Sequence, residues 1–349
     1  MDRIFTVPLK GRSSEVWFAA ADGDLKAKLG SYGKNVLYVF DDNTAKVYGE
    51  PLPGNSLVLP HGESEKDWRS VDKILTKAFE LGLARDSLFI GFGGGVVLDM
   101  TAFASSIFMR GAACVLVPTT LLAMVDATLG GKTGVDYQGA KNAVGTFFPA
   151  RDVLIDSRTL STLPEKEWMC GLGEVVKHAF LSADHGLHDF LSGNRQRILA
   201  RDAETVSEMI RLSLEVKIWY ITRDPEERLG IRSSLNLGHT FGHAWEALSN
   251  FTVSHGEGVA WGTARALETG IALGVTDRAW GSEALGLLSS YGFALDGRIA
   301  EEDFPSFLKA VSKDKKKKGG EVRFILMEGQ GKPVLRVLSE AEIKKAVTR

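Results

Sequence analysis

The segment Asn236-Leu-Gly-His239-Thr-Phe-Gly-His243, followed by His255-Gly-Glu257, gathers three of the chain's seven histidines into one short region. His239 and His243 are four residues apart, so on a helix their imidazoles share a face that can hold a transition-metal ion. Thr240 stands where the glutamate of an HExxH motif would be, so zincin chemistry is not indicated. A histidine pair on one helix face also occurs as plain packing. The third histidine with its neighbouring carboxylate favours metal binding, and one more ligand is then needed. Glu174 is a candidate, because in Gly171-Leu-Gly-Glu-Val-Val-Lys177-His178 it precedes a lysine by three residues on an otherwise apolar helix. That pair is either a surface i,i+3 contact or, given Leu172, Val175 and Val176 around it, a buried charge with a task.

A second group of residues suits phosphate and nucleotide. Gly91-Phe-Gly93-Gly94-Gly95-Val96 follows an apolar run and precedes a helical pattern, where bare backbone N–H groups can approach a pyrophosphate. Val96 replaces the last glycine of GxGxxG, so a tight strand-to-helix turn is the competing reading. Asp41-Asp42-Asn43 ends an earlier run and could hold ribose hydroxyls or be a solvated turn. Gly130-Gly-Lys132-Thr-Gly134 and Gly139-Ala-Lys141-Asn142 are too rich in glycine for a stable helix. Their lysines suit anionic groups or simple solvation.

The elements that must position these groups change character along the chain. Val36–Phe40, Ser56–Leu59, Leu88–Gly91 and Cys114–Val117 read as buried parallel strands, with helical periodicity over 65–82 and 98–109 between them. A doubly wound, Rossmann-like α/β domain is expected over 1–157. Long amphipathic stretches over 165–182, 203–222, 238–249 and 256–273 predict a mainly α-helical domain over 158–349. At 349 residues two domains are the default.

Hydrophobic residues at 44% and charged residues at 25% are globular values, and a net charge of -2 speaks against a nucleic-acid partner. The basic run Lys315–Lys318 is read as a solvated face. Two cysteines without CxxC spacing, no signal-like N-terminus and no long apolar run predict a cytoplasmic protein without membrane contact.

In combination these segments resemble the 3-dehydroquinate synthase family of the sugar phosphate cyclases, in order from Asp41 to about Leu326, most densely over 93–142, 163–177 and 236–255. The resemblance implies an NAD- and divalent-metal-dependent homodimer, with zinc or cobalt as the metal. Its substrate would be a phosphorylated seven-carbon sugar acid. Asp41, Asn43, Glu63 and Lys66 resemble NAD ribose and adenine contacts. Gly94, Gly95, Val96 and Asp99 resemble pyrophosphate and nicotinamide contacts, with Thr119, Thr120, Leu122 and Thr162 completing the pocket.

The implied metal ligands are Glu174, His239 and His255, which leaves His243 as a proton-handling group in place of the HxxxH reading. Asp126, Lys132, Asn142, Lys177, Arg232 and Asn236 resemble contacts to substrate carboxylate and hydroxyls, with Lys141 near the nicotinamide. Lys315 or Lys316 and His243 would approach the phosphate, joined by Arg110 from the other subunit. Leu98 replaces a glycine usual in the family, and one extra residue separates Lys217 from Arg232, which bears on Lys217's role. Asn236 and His243 match the dehydroquinate-forming members, where cyclases of other sugar phosphates differ. The rival class is a metal-dependent polyol or glycerol phosphate dehydrogenase, which would release NADH.

Overall fold

A computed structural model describes residues 1–9, 11–48, 53–250, 252–315 and 322–348. The chain divides into two compact units, Met1–Trp168 and Met169–Arg349. The sequence pattern changes at 157/158, but the short helical segment Ser157–Thr162 and the first turn of the next helix stay with the N-terminal unit.

The N-terminal unit holds strands β1 (Asp2–Leu9), β2 (Arg12–Phe18), β3 (Val36–Asp41), β4 (Ser56–Leu59), β5 (Leu88–Gly93), β6 (Ala113–Pro118), β7 (Lys132–Tyr137), β8 (Ala140–Phe147) and β9 (Asp152–Ile155). Its helices are α1 (Asp24–Gly30), α2 (Asp42–Tyr48), α3 (Trp68–Glu80) and α4 (Gly95–Ile107). Seven strands form one sheet in the order β1-β2-β9-β6-β5-β3-β4, parallel throughout except for β1 at the edge. The central strands are apolar without alternation because helices cover both faces, and every residue of β5 is buried. Phe40, Ile90, Phe92, Val115, Val117 and Leu154 pack as one core. Each such side chain contributes roughly 1.5–3 kcal/mol by leaving water.

From β3 the chain passes to β4 on one side, then returns to build β5, β6 and β9 on the other. The strand order therefore reverses between β3 and β5. In open α/β sheets the crevice outside the carboxyl ends at such a point is where ligands bind. Asp41 ends β3 and Gly93 ends β5, so the sheet brings both predicted nucleotide segments to that point.

The β7–β8 pair is a hairpin where the sequence only argued against a helix. Gln138 and Gly139 turn it with φ of 49° and 76°, the two positive values a two-residue hairpin loop needs.

The C-terminal unit is mainly helical, as expected, with α5 (Glu165–Leu181) entering it from the boundary. It continues through α6 (Gly186–Leu199), α7 (Ala203–Arg223), α8 (His239–Leu248), α9 (His255–Ala272), α10 (Arg278–Ser290), α11 (Phe304–Lys315) and α12 (Glu340–Val347). It also contains an unforeseen antiparallel pair, β10 (Arg323–Met327) with β11 (Pro333–Val337). Glycines let three helices touch backbone to backbone. A Cβ at Gly173 on α5 would fall under 3.0 Å from Gly256 of α9, and one at Gly242 on α8 would fall 2.5 Å from the carbonyl oxygen of Gly258.

Gly173→Ala should therefore lower the thermal midpoint by the equivalent of about 1–3 kcal/mol, since neither backbone can yield. Gly286→Ala, on the exposed face of α10 with open space around it, should raise stability by roughly 0.4–1 kcal/mol. Thermal denaturation of the two variants side by side checks the argument, and equal effects would contradict it.

Candidate functional site

In the N-terminal unit the glycine loop closes tightly on Asp41. Gly93 has φ 146°, and a Cβ there would strike Val97 and lie 2.9 Å from Oδ2 of Asp41. Asp41 Oδ1 accepts hydrogen bonds from the Thr44 N–H at 2.7 Å and the Thr44 hydroxyl at 2.9 Å. Gly94 caps α4 without any side-chain hydrogen bond, and a Cβ on it would press on Thr120 at 3.3 Å. Backbone N–H groups at the start of α4 thus face a cradle that side chains would fill, which suits a pyrophosphate. The Thr119 N–H donates to the Gly93 carbonyl at 2.9 Å, so the segment carrying Thr119, Thr120 and Leu122 is tied to the loop. Val96 is half-buried beside them. Asn43 is exposed on α2, Thr162 is exposed after β9, and Asp42 pairs at the surface with His61 at 2.7 Å.

Lys66 is buried and bridges two parts of this unit. Its Nζ donates to Asp99 Oδ2 and to Asn142 Oδ1, both at 2.6 Å, while the Lys66 carbonyl accepts from the Asp136 N–H. The β7–β8 hairpin is thereby pinned beside α4. Burial lifts the Asp99 carboxyl to about 6 against the pull of Lys66. Burial also pulls the Lys66 ammonium down, but Asp99, Glu63 and Asp136 outweigh it and hold it above its ordinary value. Lys141 and Glu63 pair at 3.7 Å with both side chains about half exposed, an arrangement of little energetic weight. Lys132 lies exposed on β7. Asp126 sits in a π-helical turn, Ala123–Ala127, the kind of helix irregularity frequent at functional sites. Arg110 is exposed, with Met109 and Arg110 both in the left-handed region at φ 48° and 64°.

The C-terminal unit assembles the histidines around Glu174. That carboxylate is fully buried, with Nε2 of His239 and Nε2 of His255 each 3.3 Å from Oε1. Lys177, only 1% exposed, holds Oε2, so the pair is buried and not a surface contact. Neither Glu174 oxygen makes a hydrogen bond of normal geometry. The His239, His243 and His255 rings surround the same point, with centroids 5.2–5.7 Å apart.

Two partners orient the imidazoles. His239 directs Nδ1 at the Leu237 carbonyl, 3.2 Å away, and His255 directs Nδ1 at Glu246 Oε1, 3.1 Å away, leaving both Nε2 atoms facing Glu174. Glu246 carries no signal in the sequence that marks this role. Glu257, the carboxylate beside His255 in the chain, instead completes the capping box of α9 with Ser254.

Burial raises the Glu174 carboxyl, yet Lys177 and the two imidazoles prevail and hold it well below the carboxylate range. Burial depresses His239 to about 4. At His255 burial is outweighed by Glu174 and Glu246, which lift it to about 10. A negative carboxylate and a neutral imidazole are donors in the form a divalent ion requires. His255 would give up a proton on binding it. A carboxylate held ionised by Lys177, its other oxygen facing two oriented imidazoles, fits such an ion.

Near this centre in sequence, Arg232 is buried and donates from Nη1 to the Pro225 carbonyl at 2.6 Å. Its loop winds around Asp224, which sequence reasoning missed and which accepts from the N–H groups of Arg228, Leu229 and Arg232. Those backbone bonds hold the Asp224 carboxyl low although burial opposes them. Asn236 is exposed, its Nδ2 3.5 Å from Glu227 Oε1, and Lys217 is buried on α7. Lys316 lies outside the described residues, as does the side chain of Lys315.

Sequence comparison with known proteins gives one family. Residues 56–170 match the family model described as 3-dehydroquinate synthase N-terminal, and residues 171–317 match 3-dehydroquinate synthase C-terminal. A 3-dehydroquinate synthase of Francisella tularensis subsp. holarctica is 36% identical over 324 residues, 89% of each chain. One of Acidithiobacillus ferrooxidans is 38% identical over 326 residues, 90% of this chain and 88% of the other. Among solved structures, 2-deoxy-scyllo-inosose synthase complexed with carbaglucose-6-phosphate, NAD+ and Co2+ shares the fold with TM-score 0.84 at 24% identity, covering 98% of both chains. A 2-epi-5-epi-valiolone synthase from Streptomyces hygroscopicus subsp. jinggangensis 5008, with NAD+ and Zn2+ bound, has the same TM-score and identity over 99% and 98%.

Replacing Lys66 by Met tests the N-terminal bridge. It should cost about 1–3 kcal/mol, because Asp99, only partly exposed, then loses its counter-charge. Without the ammonium the Asp99 carboxyl rises further above its unfolded value, so the deficit is full at high pH and shrinks as pH falls and the carboxyl takes up a proton. Denaturant unfolding at pH 8 and pH 5 reads this; a deficit equal at both would contradict it.

Proposed function

The chain belongs to the 3-dehydroquinate synthase family, and from that premise we propose that it converts 3-deoxy-D-arabino-heptulosonate 7-phosphate into 3-dehydroquinate and phosphate, a step of aromatic amino-acid biosynthesis. The observation that carries the site reading is the convergence of Glu174, His239 and His255 on one point of the C-terminal unit, a donor set for a divalent ion. In this reaction a secondary alcohol of the substrate becomes a ketone, phosphate leaves by elimination, the ketone is reduced again and an aldol step closes the ring. When bound, NAD supplies the reversible hydride acceptor and zinc or cobalt supplies Lewis acidity at the oxygen of the oxidised carbon.

The protein's own groups have positioning and charge-balancing tasks. Asp41, Asn43, Glu63 and Lys66 would hold the nucleotide's ribose and adenine, and the Gly94–Val96 backbone with Asp99 its pyrophosphate and nicotinamide end. Thr119, Thr120, Leu122 and Thr162 would line the same cofactor pocket, with Lys141 and Asn142 beside the nicotinamide. Lys177 Nζ keeps Glu174 ionised, and Glu246 fixes the His255 tautomer so that Nε2 stays available. Asp126, Lys132, Asn142, Lys177, Lys217, Arg232 and Asn236 would recognise the substrate's carboxylate and hydroxyls. His243, with Lys315 or Lys316, would meet the phosphate. These groups supply orientation and electrostatic stabilisation in place of many separate acids and bases.

The dehydrogenase reading loses to the family assignment, since relatives 36% and 38% identical over almost nine-tenths of the chain are synthases. No helix among the described residues is long and apolar enough to cross a membrane. Both cysteines are free and buried, the state a reducing compartment such as the cytoplasm maintains.

Incubation with the seven-carbon phosphate and a small amount of NAD tests the reading. Phosphate and carbocycle should exceed NAD many times over, with no build-up of NADH; NADH formed in proportion to product would reassign the activity to a dehydrogenase. Chelator should abolish turnover and zinc or cobalt restore it. Glu174→Ala should lose the metal, whereas His243→Ala should keep the metal and lose turnover. Equal metal loss in both would overturn the ligand assignment.

We further propose a homodimer in which Arg110 serves the partner's phosphate site. The observation in favour is an exposed arginine held in a left-handed conformation, a strain that persists where surroundings or function demand it. Mixing Arg110→Ala subunits with Glu174→Ala subunits should restore about one working site per mixed dimer. No recovery despite subunit exchange would place the arginine in its own subunit's site.

A further inference from the structure

A separate cluster of ligand-type side chains stands at the start of α6. His185, His188 and Asp189 occupy positions i, i+3 and i+4, which on a helix form one face. Their ligand atoms lie within 4.8 Å of one another, and the two imidazoles meet edge to face with centroids 5.9 Å apart. His188 is buried, its side chain 5% exposed, yet each ring nitrogen faces a carboxylate. Nδ1 is 3.3 Å from Oδ1 of Asp189, and Nε2 is 3.7 Å from Oε1 of Glu283 on α10. Asp189 and Glu283 are themselves well exposed, at 73% and 61%, so their outer oxygens are open to a ligand from solvent. Asp184, next in the chain, is committed elsewhere: its Oδ1 accepts from the Ser182 hydroxyl and the Gly186 N–H, both at 3.0 Å.

We propose that His185, His188 and Asp189 form a second divalent-metal site, with Glu283 on the other ring nitrogen of His188 orienting that imidazole, and that its ligand is a borderline transition ion of the zinc class. Two imidazoles with carboxylates are the donor set such ions prefer, whereas magnesium and calcium favour oxygen alone. The positive end of the α6 dipole opposes a cation here, and the negative charges of Asp184, Asp189 and Glu283 offset it. None of these residues has a part in the proposed reaction. Bound metal would clamp the N-cap His185 to the first turn of α6, and so act on stability and not on turnover.

The test uses the metal-free 349-residue chain, titrated with zinc in competition with a chromophoric chelator at neutral pH. It compares the parent with a variant carrying both His185→Asn and Asp189→Asn. His185 and Asp189 are exposed, so the doubly substituted chain should fold, which unchanged turnover verifies. The expected result is the loss of one zinc equivalent per chain, together with loss of the extra rise in thermal midpoint that excess zinc gives the parent. His188→Gln, which keeps the helix face but removes an imidazole, should lose the same equivalent. Zinc stoichiometry and affinity equal to the parent's in the doubly substituted chain would overturn the proposal.

Discussion

At Gly173 the backbone of α5 runs against the backbone of α9 at Gly256, and nothing larger than hydrogen fits between them. Glu174 follows the first of these glycines and His255 precedes the second, so this contact sets the distance between carboxylate and imidazole. The crossing of α8 on α9, through Gly242 and Gly258, does the same for His239. A larger residue at either crossing would separate the helices and with them the ligand atoms. Close packing of this kind transmits strain with little compliance, which is why a metal centre can be built on it.

The electrostatics follow from that geometry. A fully buried carboxylate is costly in itself, and here Lys177 and two imidazoles make the ionised form the stable one. The same carboxylate, helped by Glu246, keeps His255 protonated until something displaces the proton. In the N-terminal unit the logic differs. There the strand order reverses beside a glycine loop, and the buried Lys66 ties the hairpin to α4 through Asp99 and Asn142.

Much of this was legible in the sequence, for identifiable reasons. Short continuous apolar runs such as Leu88–Gly91, bounded by turn signals, read as strands covered on both faces, and α5 and α9, which carry Glu174 and His255, are long stretches that the fold buries on nearly every face. The hairpin at Lys132–Phe147 was not legible, because backbone pairing holds it and Gln138 is not a usual residue for its turn. Glu246 and Asp224 were invisible for another reason: their partners are near in sequence, but only the folded turn between α8 and α9 and the loop after α7 aim the groups at each other. Glu257 misled in the opposite direction, since its neighbourhood to His255 reflects a helix cap. The unit boundary fell later than the change in pattern because the start of α5 packs with the sheet domain.

The most direct test of the central claim is anomalous diffraction from crystals of the zinc- or cobalt-loaded protein, read at the C-terminal centre. The account predicts a metal bound by a Glu174 oxygen and by Nε2 of His239 and of His255, at about 2.0–2.2 Å as zinc chemistry requires. Glu246 should remain on Nδ1 of His255. A metal held by the His239–His243 pair with Glu174 outside its coordination sphere would contradict it.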